Sequence, residues 1–204
     1  MLVELLFSDP LLFVILAVAL LLSLSLHEFA HAFAASKLGD DTAQLSGRLT
    51  LNPLAHLDPV GTLLLLFVGF GWAKPVPVNH FNLREPKRDM AIVSMAGPAS
   101  NFILAIISAL ILNFSGISGG VVYAFFYFFA FYNVGLGIFN LLPLHPLDGF
   151  KVVSGILPRR LSLQWEQLAS YGIFILFFMI FTNSFQRFLI LLIFAVLRFL
   201  GISN

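Results

Sequence analysis

SLHEFAHAFAAS, residues 25–36, lies inside the first long apolar run of the chain and sets His27, Glu28 and His31 in its middle. Ionisable groups at membrane depth are costly, so their presence there points to a function. His27 and His31 are four residues apart, which on a helix puts both imidazoles on one face, one turn apart, where a single metal ion can take both. Glu28 sits beside the first of them and is offset around the helix, a place for a base next to the metal and not for a ligand. This is the H-E-x-x-H arrangement, in which two histidines bind zinc and the glutamate acts as general base. Two core histidines with a chance glutamate would leave three polar groups to be satisfied within an apolar helix.

The surroundings make that run a membrane helix. Of 204 residues, 59% are hydrophobic and 10% charged, against about 25% charged in a soluble domain. The formal net charge is +1 and no basic stripe occurs, so nucleic acid is not an expected partner. Cysteine is absent, which excludes disulfides, zinc ribbons and thiol catalysis. The leading charges are Glu4 and Asp9, where a secretory signal would carry basic residues, so the first segment is expected to remain in the mature protein.

Five stretches are long and apolar enough to span: 11–38, 91–113, 121–142, 162–182 and 186–202. A sixth, GTLLLLFVGFGWA at 61–73, is short, glycine-rich and followed by Pro75 and Pro77, the pattern of a re-entrant element. Lys37 and Arg48 precede it, while Lys74, Arg84, Lys87 and Arg88 follow it. Lys151, Arg159 and Arg160 lie between the third and fourth spans, and 114–120 has no Lys or Arg. The basic loops are assigned to the cytoplasm, with the N-terminus outside and the C-terminus inside. Gly47 between TAQLS and RLTL predicts a small β-hairpin, and AKPVPVN at 73–79 predicts an extended sheet edge. The aromatic run at 123–132 reads as lipid-facing and packing surface. The expected fold is an all-α integral membrane protein: a single domain over 1–204, with a core at about 11–157 and added helices at about 162–202.

Catalytic zinc usually has three protein ligands and one open position. Asp148, His56, His145 and His80 are the candidates for the third. Asp148, at the cytoplasmic end of the third span, lies at the same end as His27 and His31, although an Asp-Gly turn or a helix cap would also explain it.

HEFAH in a membrane span, AGPASN at 96–101 and NLLPLHPLDG at 140–149 together resemble the site-2 protease family of intramembrane zinc metalloproteases. Asn140, Pro143, Leu147, Asp148 and Gly149 match the family's Asn-x-x-Pro-x-x-x-Leu-Asp-Gly element. Gly97, Pro98 and Asn101 match its Gly-Pro-x-x-Asn element, and GFGWAKPVPVN resembles its re-entrant loop. The resemblance covers residues 11–157 and is to a short prokaryotic member without a PDZ domain. It implies a three-helix catalytic core, one zinc ion, Asp148 as third ligand, and substrate contacts by Asn140 and Asn101. It also implies a substrate with a transmembrane segment, cut in or near the bilayer of the cell membrane at a site open to the cytoplasm. For Asn140 an amide bond between helices is the plainer alternative. A non-proteolytic metal-binding or transport protein would use the same ligands without needing Glu28. A di-iron oxygenase would need more histidine boxes than five histidines supply.

Overall fold

The structure is a computed structural model and describes residues 2–202. Helix α1 (Leu2–Ser8) leads into α2 (Pro10–Lys37), which begins where Asp9 accepts the Leu12 N–H at 3.0 Å and Pro10 occupies the first turn. A helical turn α3 (Thr42–Leu45) and α4 (Pro59–Val68) precede α5 (Pro86–Phe114). Then come α6 (Gly120–Asn140), α7 (Asp148–Ile156), α8 (Arg159–Glu166), α9 (Ala169–Phe181) and α10 (Asn183–Phe199).

Three helices, α2, α5 and α6, are long and apolar enough to cross a membrane, with 28, 29 and 21 residues. At 1.5 Å per residue each reaches at least about 31 Å, the thickness of a hydrocarbon core of ~30 Å. They pack pairwise against one another, α7 lies on α5, and α10 lies on α6. Large apolar side chains such as Phe114, Phe174, Phe178 and Phe199 face outward, whereas Ala19, Ala105, Ala109 and Ala130 are buried between helices. In lipid the hydrophobic effect does not join helices, so small residues that permit close contact carry the packing. Interhelical polar bonds add about 0.6–2 kcal/mol each, and one chain of them, Asn101–Asn133–Ser23, links α5, α6 and α2.

Three expectations need correction. The predicted fourth span, 162–182, is broken: α8 and α9 meet at an angle of 57°. Polar Gln164, Glu166 and Gln167 occupy its first turns, and α9 alone has 13 residues. With α10 at 17 residues, three helices among the described residues are long and apolar enough to span, or four if the bent pair counts as one, against the five expected. The predicted hairpin at 42–51 is not formed. Asp40 Oδ1 takes both the N–H and the hydroxyl of Thr42, starting a helical turn. Gly47, at φ +67°, ends that turn with Gly47 N–H donating to Gln44 O and Arg48 N–H to Ala43 O. A glycine that reads as a hairpin turn is a helix stop.

The segment after α4 does double back. Gly69 turns the chain at φ +84°, and the returning backbone lies so close that a Cβ at Gly71 would fall 2.0 Å from Gly61 O. The sheet edge expected at 73–79 is not formed: the segment carries no helix or strand, and Ala73 makes an isolated antiparallel bridge with Leu57.

A candidate metal centre on the first long helix

His27 and His31 project from the same face of α2, their ring centroids 4.6 Å apart. Asp148, the first residue of α7, reaches them from the end of the 141–147 connection. The two Nε2 atoms are 3.0 Å apart, and Asp148 Oδ2 lies 3.2 Å from His27 Nε2 and 3.1 Å from His31 Nε2. Both histidines are buried, and the Asp148 side chain is 15% exposed.

The outer nitrogens decide what the inner ones can do. His31 Nδ1 is 2.7 Å from the Val93 carbonyl, which can only accept, so the proton sits on Nδ1. His27 Nδ1 is 2.6 Å from Asn101 Oδ1, an acceptor likewise. In its neutral form each imidazole therefore turns an Nε2 lone pair inward, toward a carboxylate oxygen. Three acceptors meet and neither neutral ring brings a hydrogen to the meeting point. A cation resolves that arrangement, and imidazole nitrogen with carboxylate oxygen is a zinc-type donor set. The donor atoms all lie within 4.8 Å of one another, the only such group among the described residues. Gly97 of α5 lies directly against this cluster: a Cβ there would be 2.3 Å from His31 Nε2.

Glu28 is half-buried beside the cluster, and its Oε2 accepts the Val76 N–H at 3.1 Å. Together with His27, His31 and Asp148 it lines a cavity of about 1010 Å³. The walls come from the 65–78 segment, α6 and the C-terminal helices, and most of the lining is apolar. Asn140 is on this wall, its amide donating to Leu136 O within its own helix at 3.1 Å and not between helices. Asn101, expected at the substrate, is fully buried behind His27 and does not line the cavity. Of the other ligand candidates, His56 is buried against Thr50 O at 2.8 Å, His145 packs edge-on against Phe150, and His80 lies tilted against Phe81. None joins the cluster.

Two partners were not anticipated from sequence: the Val76 N–H and Asn133. The second carries a signal, a lone amide in the apolar stretch FYNVGLG. The first carries none, because a backbone group has no residue type to read.

Fold and cluster define a helical membrane protein with a His-His-Asp cluster, beside a glutamate, that could hold a metal ion. The chain belongs to peptidase family M50, the site-2 protease family, whose model matches residues 15–118 and 117–181. It is 44% identical over 176 residues to "Putative zinc metalloprotease YwhC" of Bacillus subtilis, covering 82% of this chain and 80% of that one. It is 30% identical over 203 residues to "Putative zinc metalloprotease Rip2" of Mycolicibacterium smegmatis, covering 94% and 76%. No solved structure matches the chain.

Proposed function

We propose that this chain is an intramembrane zinc metalloendopeptidase of the site-2 type, cleaving peptide bonds in or near transmembrane segments of membrane proteins. The observation that carries this is the convergence of two Nε2 lone pairs and Asp148 Oδ2 beside Glu28, on the wall of a large apolar cavity. His27, His31 and Asp148 would hold the ion. Bound there, zinc supplies a Lewis acid that polarises the scissile carbonyl and lowers the pKa of water toward ~7.

Glu28 takes the proton of the attacking water and passes it to the leaving amine. The Val76 N–H holds one carboxylate oxygen, which fixes the orientation of the base. A transmembrane helix hides its carbonyls in hydrogen bonds, so the substrate must unwind to be cut. With the hairpin absent, the 73–79 segment alone remains to hold an unwound strand, close to Glu28. Asn140, on the cavity wall, is placed to meet the substrate backbone.

The doubled-back 59–73 segment dips into the membrane from the cytoplasmic side. The bent α8–α9 pair and α10 complete five crossings, with the N-terminus outside, the C-terminus inside and the site open to the cytoplasm. Residues 1–204 form one domain, its catalytic core at about 11–157. A membrane-impermeant thiol reagent on intact cells checks the orientation, because the chain has no cysteine of its own: Ser118→Cys labels, whereas Ser46→Cys labels only after the membrane is opened.

The deciding experiment is Glu28→Gln, which keeps size and polarity but removes the proton acceptor. It retains zinc and loses cleavage of a single-span substrate by about 10²–10⁴-fold. Cleavage near the parent rate overturns the assignment of the base, and zinc transport without proteolysis in the parent protein favours a carrier.

A further inference from the structure

We propose that Asn133, which bonds none of the three metal-binding side chains, is a positioning residue for the metal centre. Through Asn101 it determines which nitrogen of His27 carries the proton. The proposal builds on the metal centre described above and adds a component to it.

The direction of the chain of bonds starts at backbone groups whose role is fixed. Asn133 Nδ2 is 2.8 Å from the Phe129 carbonyl and 2.7 Å from Ser23 Oγ. A carbonyl only accepts, so the NH2 of Asn133 faces Phe129 and its Oδ1 is left for Asn101. Ser23 agrees: its hydroxyl donates to the Ala19 carbonyl at 2.8 Å, leaving its oxygen to accept from Asn133. Asn101 must then meet Asn133 Oδ1 with its own NH2, at 2.8 Å, and this turns Asn101 Oδ1 toward His27 Nδ1 at 2.6 Å. An oxygen there requires a proton on Nδ1, and a neutral ring protonated on Nδ1 keeps its lone pair on Nε2, the atom facing His31 and Asp148.

If the Asn101 amide were reversed, its NH2 would face Nδ1, the proton would move to Nε2, and that proton would occupy the direction the metal needs. Ser23, Asn101 and Asn133 are each 0% exposed, so solvent does not supply a substitute partner. His31 needs no such relay, because the Val93 carbonyl meets its Nδ1 directly. The two ligands therefore differ: loss of Asn133 affects His27 and leaves His31 unchanged.

The test uses nitrogen-15 NMR of the histidines in the full-length, zinc-free protein in detergent, at a pH alkaline enough that both rings are neutral, together with zinc affinity by chelator competition. In the parent both His27 and His31 carry the proton on Nδ1. In Asn133→Leu, His27 shifts toward Nε2–H while His31 stays, and zinc affinity falls about 10- to 100-fold. Asn133→Ala, which adds no bulk, serves where the leucine variant does not fold. In an Asn101→Leu background the same change at Asn133 costs no further affinity, because its route to His27 is already cut. A parent His27 protonated on Nε2, or an Asn133 variant with unchanged tautomer and affinity within about twofold, overturns the relay. A parent with both Nδ1 protons that binds no zinc overturns the metal centre and not the relay.

Discussion

Glu28 Oε2 accepts the backbone N–H of Val76, a residue 48 positions further along, at 3.1 Å. This bond ties the expected general base to the segment between the doubled-back 59–73 stretch and α5. The segment is held in turn at its far end, where Asp40, just beyond α2, accepts the Asn79 N–H at 2.7 Å. The 73–79 segment is thus tied to α2 through Glu28 and to the residues just past its end through Asp40.

Replacing Val76 by proline tests the first tie. The change removes the N–H that Glu28 accepts, along with the half-buried valine side chain. Val76→Pro is expected to keep zinc and lower kcat by roughly ten- to a hundredfold through a loosened base. Single-turnover cleavage in detergent measures it, and an unchanged kcat would show that Glu28 is oriented by other contacts.

The second tie is sensitive to acid. Burial pushes the Asp40 carboxyl up, but bonds from the Thr42 side chain, Asn82, and the Asn79 and Thr42 backbones outweigh it and hold the group below its ordinary range. A carboxylate with a depressed folded-state pKa contributes stability that is fully present above its unfolded value of about 3.9 and is lost as pH falls below it. Thermal unfolding in detergent should therefore show a Tm that is flat in Asp40 terms above about pH 5 and falls toward pH 3. Asp40→Ala, which removes the acceptor for hydrogen bonds from half-buried Thr42 and from exposed Asn79 and Asn82, should cost about 1–2 kcal/mol at neutral pH and remove part of that acid sensitivity.

Much of the centre was legible because its chemistry is written in residue types. H-E-x-x-H at helical spacing places two imidazoles and a neighbouring carboxylate together on α2 whatever the tertiary fold. Asp148 needed the resemblance, since proximity between residues 31 and 148 depends on how α7 lies on α5. What stayed hidden depends on direction and on backbone. The hairpin expectation failed because Gly47 supports either a tight turn or a helix stop, and the bonds of Asp40 and Thr42 chose the second. The bend in the fourth stretch stayed hidden because hydropathy averages over a window and does not register the break between Glu166 and Ala169. Asn101 was matched by motif but placed at the substrate, whereas packing put it behind His27.

Removing ligands separates metal binding from folding. His31→Ala and Asp148→Ala each leave two donors, a poor cage for zinc. Both should lower zinc affinity by more than the roughly 10- to 100-fold expected from losing an outer partner, with α-helical content retained. Metal analysis of purified protein gives the stoichiometry, expected at one zinc per chain in the parent. Full zinc in His31→Ala would remove His31 from the ligand set.

Gly97 offers a test that replaces none of the three proposed ligands. Its Cα lies against the cluster, and an added Cβ would stand 2.3 Å from His31 Nε2 and 2.6 Å from both His27 Cε1 and His31 Cε1. These are separations that real Cβ atoms do not adopt, so something must shift. The imidazoles are anchored at their outer nitrogens by Val93 O and Asn101, and α5 packs along α2, so neither side yields without breaking a bond or a helix contact. The added methyl would stand against the inner nitrogens, on the side where the ion must sit. Gly97→Ala is expected to fold, because alanine favours helix over glycine by about 1 kcal/mol, and to lose both zinc and cleavage. Zinc content and circular dichroism on the same preparation distinguish this from simple unfolding. A helical Gly97→Ala protein with one tightly held zinc would mean that the ion sits elsewhere than between His27, His31 and Asp148.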